Sequence, residues 1–465
     1  MLVVGARTVS QLLALVIFML MNRHLSAGQY GVFQTVVSIS GLVRVALDLG
    51  FNTLFQREAA RQPAELSRYL STLLAARLLF AVGALALFLL ALWTVHLQHY
   101  LLAGFVMMLL ASCSYLLRLS LYAVQRLKAE ATAIVLESVV LVSSVGFGAV
   151  THQGPGYYLW AYALTYALDC VYFLLVLHLR HIARLTVSID FGLVRRWFWS
   201  SLPFALTSVI TSIYFSIDQP MITFFRGPTE SGWYASSYKL FASVLFLPQT
   251  MVTVVFPVLA IMHTEAGGRL HWAVNRFYKA LLLAGWPLTV GCVMLSPAFR
   301  FIYQYGPSEL SFQVLSAGVV FMFLTNAFLA ALNAADRQVS FTWAAFWSMV
   351  INLTLNVAVI PRAGYLGAAW VTVITELALC ILGWFLTARH VVAVPVHRLS
   401  WRILVAGLVM GAALIPFRTV TGLRTIPVIA GAALVYGLVL LAIRAIDPEE
   451  WSVVRQLIPG AARDR

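Results

Sequence analysis

Tyr69–Val95 reads YLSTLLAARLLFAVGALALFLLALWTV, twenty-seven residues with one charge, Arg77. A helix needs about 20 mostly apolar residues to cross the hydrocarbon core of a bilayer, so this stretch can span one. It shows no alternation of apolar and polar residues, which excludes a barrel strand and leaves the helix as the way to satisfy its backbone in lipid. Working outward, similar runs occupy roughly 3–24, 30–54, 100–124, 130–151, 156–180, 200–224, 231–260, 275–297, 311–334, 339–360, 364–388, 400–418 and 425–445. The sequence therefore predicts an all-α integral membrane protein of about fourteen transmembrane helices.

Composition agrees. Apolar residues make up 61% of the 465 and charged residues only 10%, against about 25% charged in a soluble domain. The net charge of +14 does not imply nucleic acid, because the basic residues lie between apolar runs and not on one amphipathic face. With the N-terminus taken as cytoplasmic, inner loops such as those holding Arg57, Arg61, Arg68, Arg126, Lys128 and Arg180 carry about 20 of the 31 Lys and Arg. The opposite loops carry about six: Arg23, Arg226, Arg300, Arg362, Arg418 and Arg424. That bias places both termini in the cytoplasm of a multi-pass protein of the bacterial cytoplasmic membrane. Met1 runs almost directly into the first span, which reads as a retained helix and not as a cleaved signal. The longest loops, near 181–199 and 261–274, are too short to fold alone. No phosphate-binding loop occurs, which excludes ATP hydrolysis. Cys113, Cys170, Cys292 and Cys380 sit in apolar stretches without ligand spacing. No metal and no cofactor is expected.

The first six spans and the next six can be superposed. At an offset of 201, Gln29-Tyr30-Gly31-Val32-Phe33 meets Glu230-Ser231-Gly232-Trp233-Tyr234. At an offset of 210, Gly154, Trp160, Thr165 and Cys170 meet Gly364, Trp370, Thr375 and Cys380. Six is even, so the halves share one orientation, with an axis along the membrane normal and a substrate site between them. The division is 1–185, 186–390 and a remainder of 391–465 with two more spans and a tail.

Asn22-Arg23-His24-Leu25-Ser26-Ala27-Gly28-Gln29-Tyr30-Gly31-Val32-Phe33 resembles the first hairpin of bacterial polysaccharide exporters, the lipid-linked oligosaccharide (O-antigen) flippases. Asp48-Leu49-Gly50-Phe51, Leu202-Pro203-Phe204, Asp218 with Gly232-Trp233-Tyr234, and Asn352, Asn356, Pro361 with Gly364-Tyr365-Leu366-Gly367 extend the likeness over nearly the whole chain. The superfamily also holds multidrug antiporters and peptidoglycan-precursor flippases. The resemblance implies two six-helix bundles in a V-shaped arrangement, plus the two extra C-terminal helices, working by alternating access. It implies a polyprenyl-pyrophosphate-linked oligosaccharide as cargo, for a surface polysaccharide such as O-antigen, lipopolysaccharide or exopolysaccharide. It further implies a transporter and not an enzyme, and a monomer among membrane lipids.

Ionisable groups inside spans cost about 2.5–3.5 kcal/mol on insertion scales and are functional candidates. Arg7, Arg44, Arg77 and Arg118 fall in the inner half of the first six spans, roughly 6–12 Å deep at 1.5 Å per residue. A guanidinium offers a planar fork of donors to phosphate oxygens, so these four are the candidate pyrophosphate-binding residues. The competing reading has Arg7 and Arg44 snorkelling to the interface and Arg118 paired with Glu137. Asp218 and Lys239 are a candidate ion pair, either a gate or a structural bridge. Asp48, Asp169 and Glu376 are candidates for binding a driving proton or sodium ion, or else buried protonated carboxyls. The alternative function is a cation-coupled multidrug antiporter of the same superfamily, against which the arginine surplus argues.

Overall fold

A computed structural model describes residues 2–184, 186, 189–264 and 269–445. Parts of both long loops and the tail beyond 445 lie outside the described residues. Among those described, every regular element is helical. Thirteen stretches are long and apolar enough to cross a membrane, and one of them, Gln338–His390, is 53 residues long. At 1.5 Å per residue it would measure about 80 Å, far more than a bilayer core of about 30 Å. It is two helices joined at Gly364, whose φ of 58° and ψ of −144° are not helical. Counted as two, it brings the spans to the expected fourteen.

The helices group into two compact units. The first comprises residues 1–236, 302–305 and 349–368. It holds α1 (Leu2–His24), α2 (Ala27–Asp48), α3 (Phe51–Arg61), α4 (Leu66–Thr94), α5 (Leu101–Ala123), α6 (Leu127–Val150), α7 (Pro155–Leu179), α8 (Phe191–Ser216) and α9 (Asp218–Arg226), with the start of α10 (Pro228–Ser243). In it α1 packs on α6, α5 on α7, and α2 on α4 and α8.

Two of its spans break near one end. The second was expected to run through residue 54, but α2 stops at Asp48 and α3 begins at Phe51. Leu49 and Gly50 both have positive φ, and a Cβ on Gly50 would lie 2.6 Å from the Ala205 backbone nitrogen. Only glycine permits that approach of the turn to α8. The seventh breaks at Ile217, so that Asp218 opens α9.

The repeat noticed in the sequence has a physical counterpart. The α1–α2 and α9–α10 hairpins meet at Gly31 and Gly232. A Cβ on Gly31 would lie 1.8 Å from Pro228 O, and one on Gly232 would lie 1.9 Å from Ala27 O. Those two carbonyls are themselves equivalent at the offset of 201. The side chains follow the same rule. Thr35 and Thr223 hydroxyls are 2.6 Å apart, and Ser236 donates to Asn22 Oδ1 at 2.5 Å. Thr35 corresponds to Ser236 and Asn22 to Thr223, so each bond is the copy of the other. All four side chains are buried. Glycine here serves close backbone approach, as small residues do between helices in lipid. Ser26 and Gln29 set the entry to α2: the Ser26 hydroxyl accepts from Gln29 N–H and the Gln29 carbonyl accepts from Ser26 N–H, at 3.3 and 3.0 Å.

The second unit comprises residues 237–301, 306–348 and 369–465. Its centre is α12 (Arg269–Met294), after α11 (Phe246–Thr264); the short α13 (Arg300–Tyr303) and α14 (Ser308–Ser316) lead to α15 (Val319–Ala334) and α16 (Gln338–His390), although 302–303 of α13 and 349–368 of α16 belong to the first unit. The last two spans, α17 (Val396–Leu414) and α18 (Thr425–Ala442), are fastened to α12. Trp286 donates to Leu404 O at 3.1 Å over Gly407, Tyr278 bonds Ser400 at 2.9 Å, and Tyr436 donates to Leu283 O at 3.1 Å. A side chain at 407 would meet the Trp286 ring, so glycine makes room for the indole.

Candidate functional site

Inside the first unit a polar cavity of about 320 Å³ opens between α2, α3, α5 and α8. Arg44 and Asp48 come from α2, Asn52 from α3, Ser112 and Tyr115 from α5, and Thr207, Ser208, Thr211 and Ser212 from α8. On α8 these four hydroxyls recur at i, i+1, i+4 and i+5, one helical face. Arg44 is exposed to the cavity, and among the described residues no carboxylate lies within 4.0 Å of its guanidinium. Asp48, four residues on, is engaged elsewhere. Its Oδ1 accepts from Asn52 N–H at 3.1 Å, opening α3, and lies 3.6 Å from Arg77.

Arg77 sits behind the cavity wall, 2% exposed. It donates to Ser112 O and to Asn52 Oδ1. Three residues that line the cavity are thus held by one buried guanidinium from α4. Arg77 positions the site; Arg44 faces into it.

The other two arginines lie in a second cluster, on α1, α5, α6 and α7. Arg118 donates to Glu137 at 2.6 Å and to Asp169 at 3.0 Å, and lies over the Phe173 ring at 5.6 Å. Arg7 donates to the Tyr122 hydroxyl at 2.6 Å, which donates to Glu130 Oε1 at 2.7 Å. The Arg118–Glu137 contact of the competing reading is present, and Arg118 reaches two more carboxylates, Asp169 and Glu130. Glu130 escaped the sequence reading because it lies at the edge of its span.

Elsewhere in this unit Asp218 is buried, 5% exposed, and accepts from Tyr234 OH and Asn356 Nδ2, both at 2.7 Å. Asn356 also donates to Asn352 Oδ1 at 3.1 Å. Lys239 and Glu376 belong to the second unit, the first exposed on α10 and the second buried on α16. At the helix ends, a cavity of about 550 Å³ has Arg57, Glu58, Glu65, Arg68 and Arg196 in its lining. Arg57 meets Glu58 at 2.9 Å, and Arg68 meets Glu65 at 3.0 Å and Asp190 at 2.5 Å. Hydrogen bonds from Arg68 and from Leu193 N–H hold the Asp190 carboxyl below the usual aspartate range.

The sequence profile of the family described as polysaccharide biosynthesis protein matches residues 1–263, more than half of the chain. The chain belongs to that family. By sequence, no curated protein matches the chain. Among solved structures it is similar to "Lipid II flippase MurJ, inward closed conformation", with a TM-score of 0.80 at 15% identity over 95% of this chain and 99% of that one. It is also similar to an inward-facing multidrug resistance MATE family transporter of the MOP superfamily, with a TM-score of 0.62 at 14% identity, over 87% and 94%. A MOP superfamily transporter from Pyrococcus furiosus gives a TM-score of 0.55 at 12% identity over 89% and 94%. The fold is therefore the one seen in that flippase and in those transporters. Its thirteen apolar stretches make it a multi-pass membrane protein.

Proposed function

We propose that the chain is a flippase that turns a polyprenyl-pyrophosphate-linked oligosaccharide from the inner to the outer leaflet of the bacterial cytoplasmic membrane, with both termini in the cytoplasm. Residues 1–185 and 186–390 act as the two lobes of an alternating-access transporter. The observation that carries this reading is Arg44: a guanidinium within a span, without a carboxylate partner, in a cavity walled by hydroxyls. A cation within a span and without a counter-ion is costly, and a pyrophosphate supplies the missing charge through the bidentate geometry that arginine favours. Arg77 contributes by fixing Asp48, Asn52 and the Ser112 carbonyl, and so the shape of the cavity. Family membership and the flippase fold support the same reading.

The test is flipping of a polyprenyl-pyrophosphate oligosaccharide in proteoliposomes. Arg44→Ala is expected to lower the rate by roughly tenfold or more, the loss of one charge-assisted bond of about 1.5–3 kcal/mol. Arg44→Lys should restore part of it, since a lysine keeps the charge and loses the fork. Full activity in both variants removes Arg44 from the site. In the cell, deletion should deplete surface polysaccharide while precursor accumulates facing inward; unchanged polysaccharide with new drug sensitivity would establish the multidrug antiporter instead. In the same reading Asp218 and Lys239 pair at one stage of the cycle. Asp218→Lys combined with Lys239→Asp keeps transport if the pair is structural, and normal transport by both single alanine variants removes either role.

A further inference from the structure

Around Arg118 the charges do not balance. Glu137 Oε2 and Asp169 Oδ2 both accept from the same guanidinium nitrogen, at 2.6 and 3.0 Å. Their oxygens are therefore within about 6 Å of each other, close enough for one carboxylate to disfavour ionisation of the next. Glu130 is the third, its Oε2 3.8 Å from Arg118 Nε. Glu130 is 1% exposed, and both its Oε2 and Arg118 Nε are buried without a hydrogen-bond partner. Three carboxylates thus surround one guanidinium. The second arginine at the cluster, Arg7, reaches it only through the Tyr122 hydroxyl.

Among the described residues no other Lys or Arg lies within 4.0 Å of the three carboxylates. From α7, the Tyr162 and Tyr166 phenols face the carboxylates; from α2, Arg44 acts on Tyr166 but belongs to the other cavity. Ser114 donates to Asp169 at 3.3 Å. With all three carboxyls ionised the cluster would keep an uncompensated negative charge inside the membrane, a cost of several kcal/mol. A metal cation would have to share the carboxylates with a guanidinium at their centre, which repels it. Among the described residues no group of His, Cys, Asp and Glu has a geometry suited to a metal.

We propose that Glu130, Glu137 and Asp169 hold one shared proton around Arg118, which makes this cluster a proton site of the transporter. Two arrangements are available to Arg118. In the first, the guanidinium keeps the contacts to Glu137 and Asp169 that the structure shows, and the proton is left to Glu130. With the proton on Glu137 or Asp169, that carboxyl lets go, and Arg118 closes the 3.8 Å gap to Glu130, satisfying the two orphaned atoms. The proton comes from water and no covalent bond is broken. Ala129, next to Glu130, lines a cavity of about 530 Å³ at the ends of α5, α6 and α7, with Arg126, Lys128 and Arg180, which gives solvent a route to within a residue of the cluster. Because α1 and α7 both contribute, a change in pairing is felt by helices on either side of α5 and α6. The proposal rests on the chain being a transporter, not on which cargo it carries.

The experiment is infrared difference spectroscopy of the full chain reconstituted in lipid, taken between about pH 8 and about pH 5, above the range in which ordinary carboxyls near pKa 4 titrate. A carboxylic C=O band equal to one group per chain should appear on acidification, and Glu130→Gln, Glu137→Gln and Asp169→Asn should each remove or displace it. Glu376→Gln should leave it in place, as should replacing choline chloride by sodium chloride at fixed pH. The proposal is overturned if the unmodified chain shows no titrating carboxyl in that window, if the band survives all three substitutions, or if sodium abolishes it. Loss of flipping after Arg44→Ala does not bear on the band, so the cargo reading and the proton site fail separately.

Discussion

Arg77 and Arg44 are both guanidiniums within spans, and they should fail in different ways. Removing Arg77, itself 2% exposed, leaves Asn52 Oδ1 and the Ser112 carbonyl without its donation and Asp48 without its cation. Breaking such a buried constellation from one side costs about 3–5 kcal/mol, so Arg77→Met should markedly lower the melting temperature in detergent. Arg44→Ala should leave it nearly unchanged. Equal melting temperatures for the two variants would show that Arg77 has no structural burden. Asp190 offers a pH-dependent contrast. Its pKa is lower folded than unfolded, so its contribution is complete above the ordinary aspartate value, about 3.9, and is lost as pH falls through the depressed one. Asp190→Asn should therefore melt below the parent at neutral pH and converge with it in strong acid. The ionisable residues themselves were visible in the sequence, because charge is conspicuous in an apolar run. Their partners, beyond Arg118 with Glu137, were not: that Asp169 and Glu130 share the guanidinium of Arg118 depends on α7 and α6 packing against α5, which no spacing along one helix encodes.

Among elements, the spans were legible and their ends were not. Hydropathy fixes where the chain can cross lipid, and does not resolve a break of one or two residues such as Leu49-Gly50 or Ile217. The junction at Gly364, by contrast, was legible, since the spans 339–360 and 364–388 were read apart. At Gly364 the positive φ is joined by a second constraint, since a Cβ would lie 2.1 Å from Glu230 Oε2, which accepts from Tyr365 N–H at 3.0 Å. Gly364→Ala should be tolerated poorly, and Glu230→Ala should not rescue it, because the backbone strain stays. The crossing of the α1–α2 and α9–α10 hairpins can be tested with a disulfide. Thr35→Cys with Thr223→Cys should cross-link under mild oxidation, since the native hydroxyls are 2.6 Å apart. Adding Gly232→Ala, which forces the backbones apart, should abolish the cross-link. Efficient cross-linking in that background would mean that the close approach at Gly232 is dispensable.

On the scale of the molecule, the hairpin crossing maps onto itself. Gly31 faces the carbonyl of residue 228 and Gly232 faces that of residue 27; Thr35 bonds Thr223 and Ser236 bonds Asn22. A contact in which i meets j while the copy of j meets the copy of i is isologous, the arrangement by which two identical subunits form a closed dimer. In such a dimer every substitution would strike twice. Within one continuous chain it strikes once, and the two hydrogen bonds have already become chemically different, hydroxyl to hydroxyl on one side and hydroxyl to amide on the other. Expressed as separate fragments, the two hairpins therefore carry surfaces able to recognise themselves as well as each other, and it is their linkage in one polypeptide that makes the mixed pairing win.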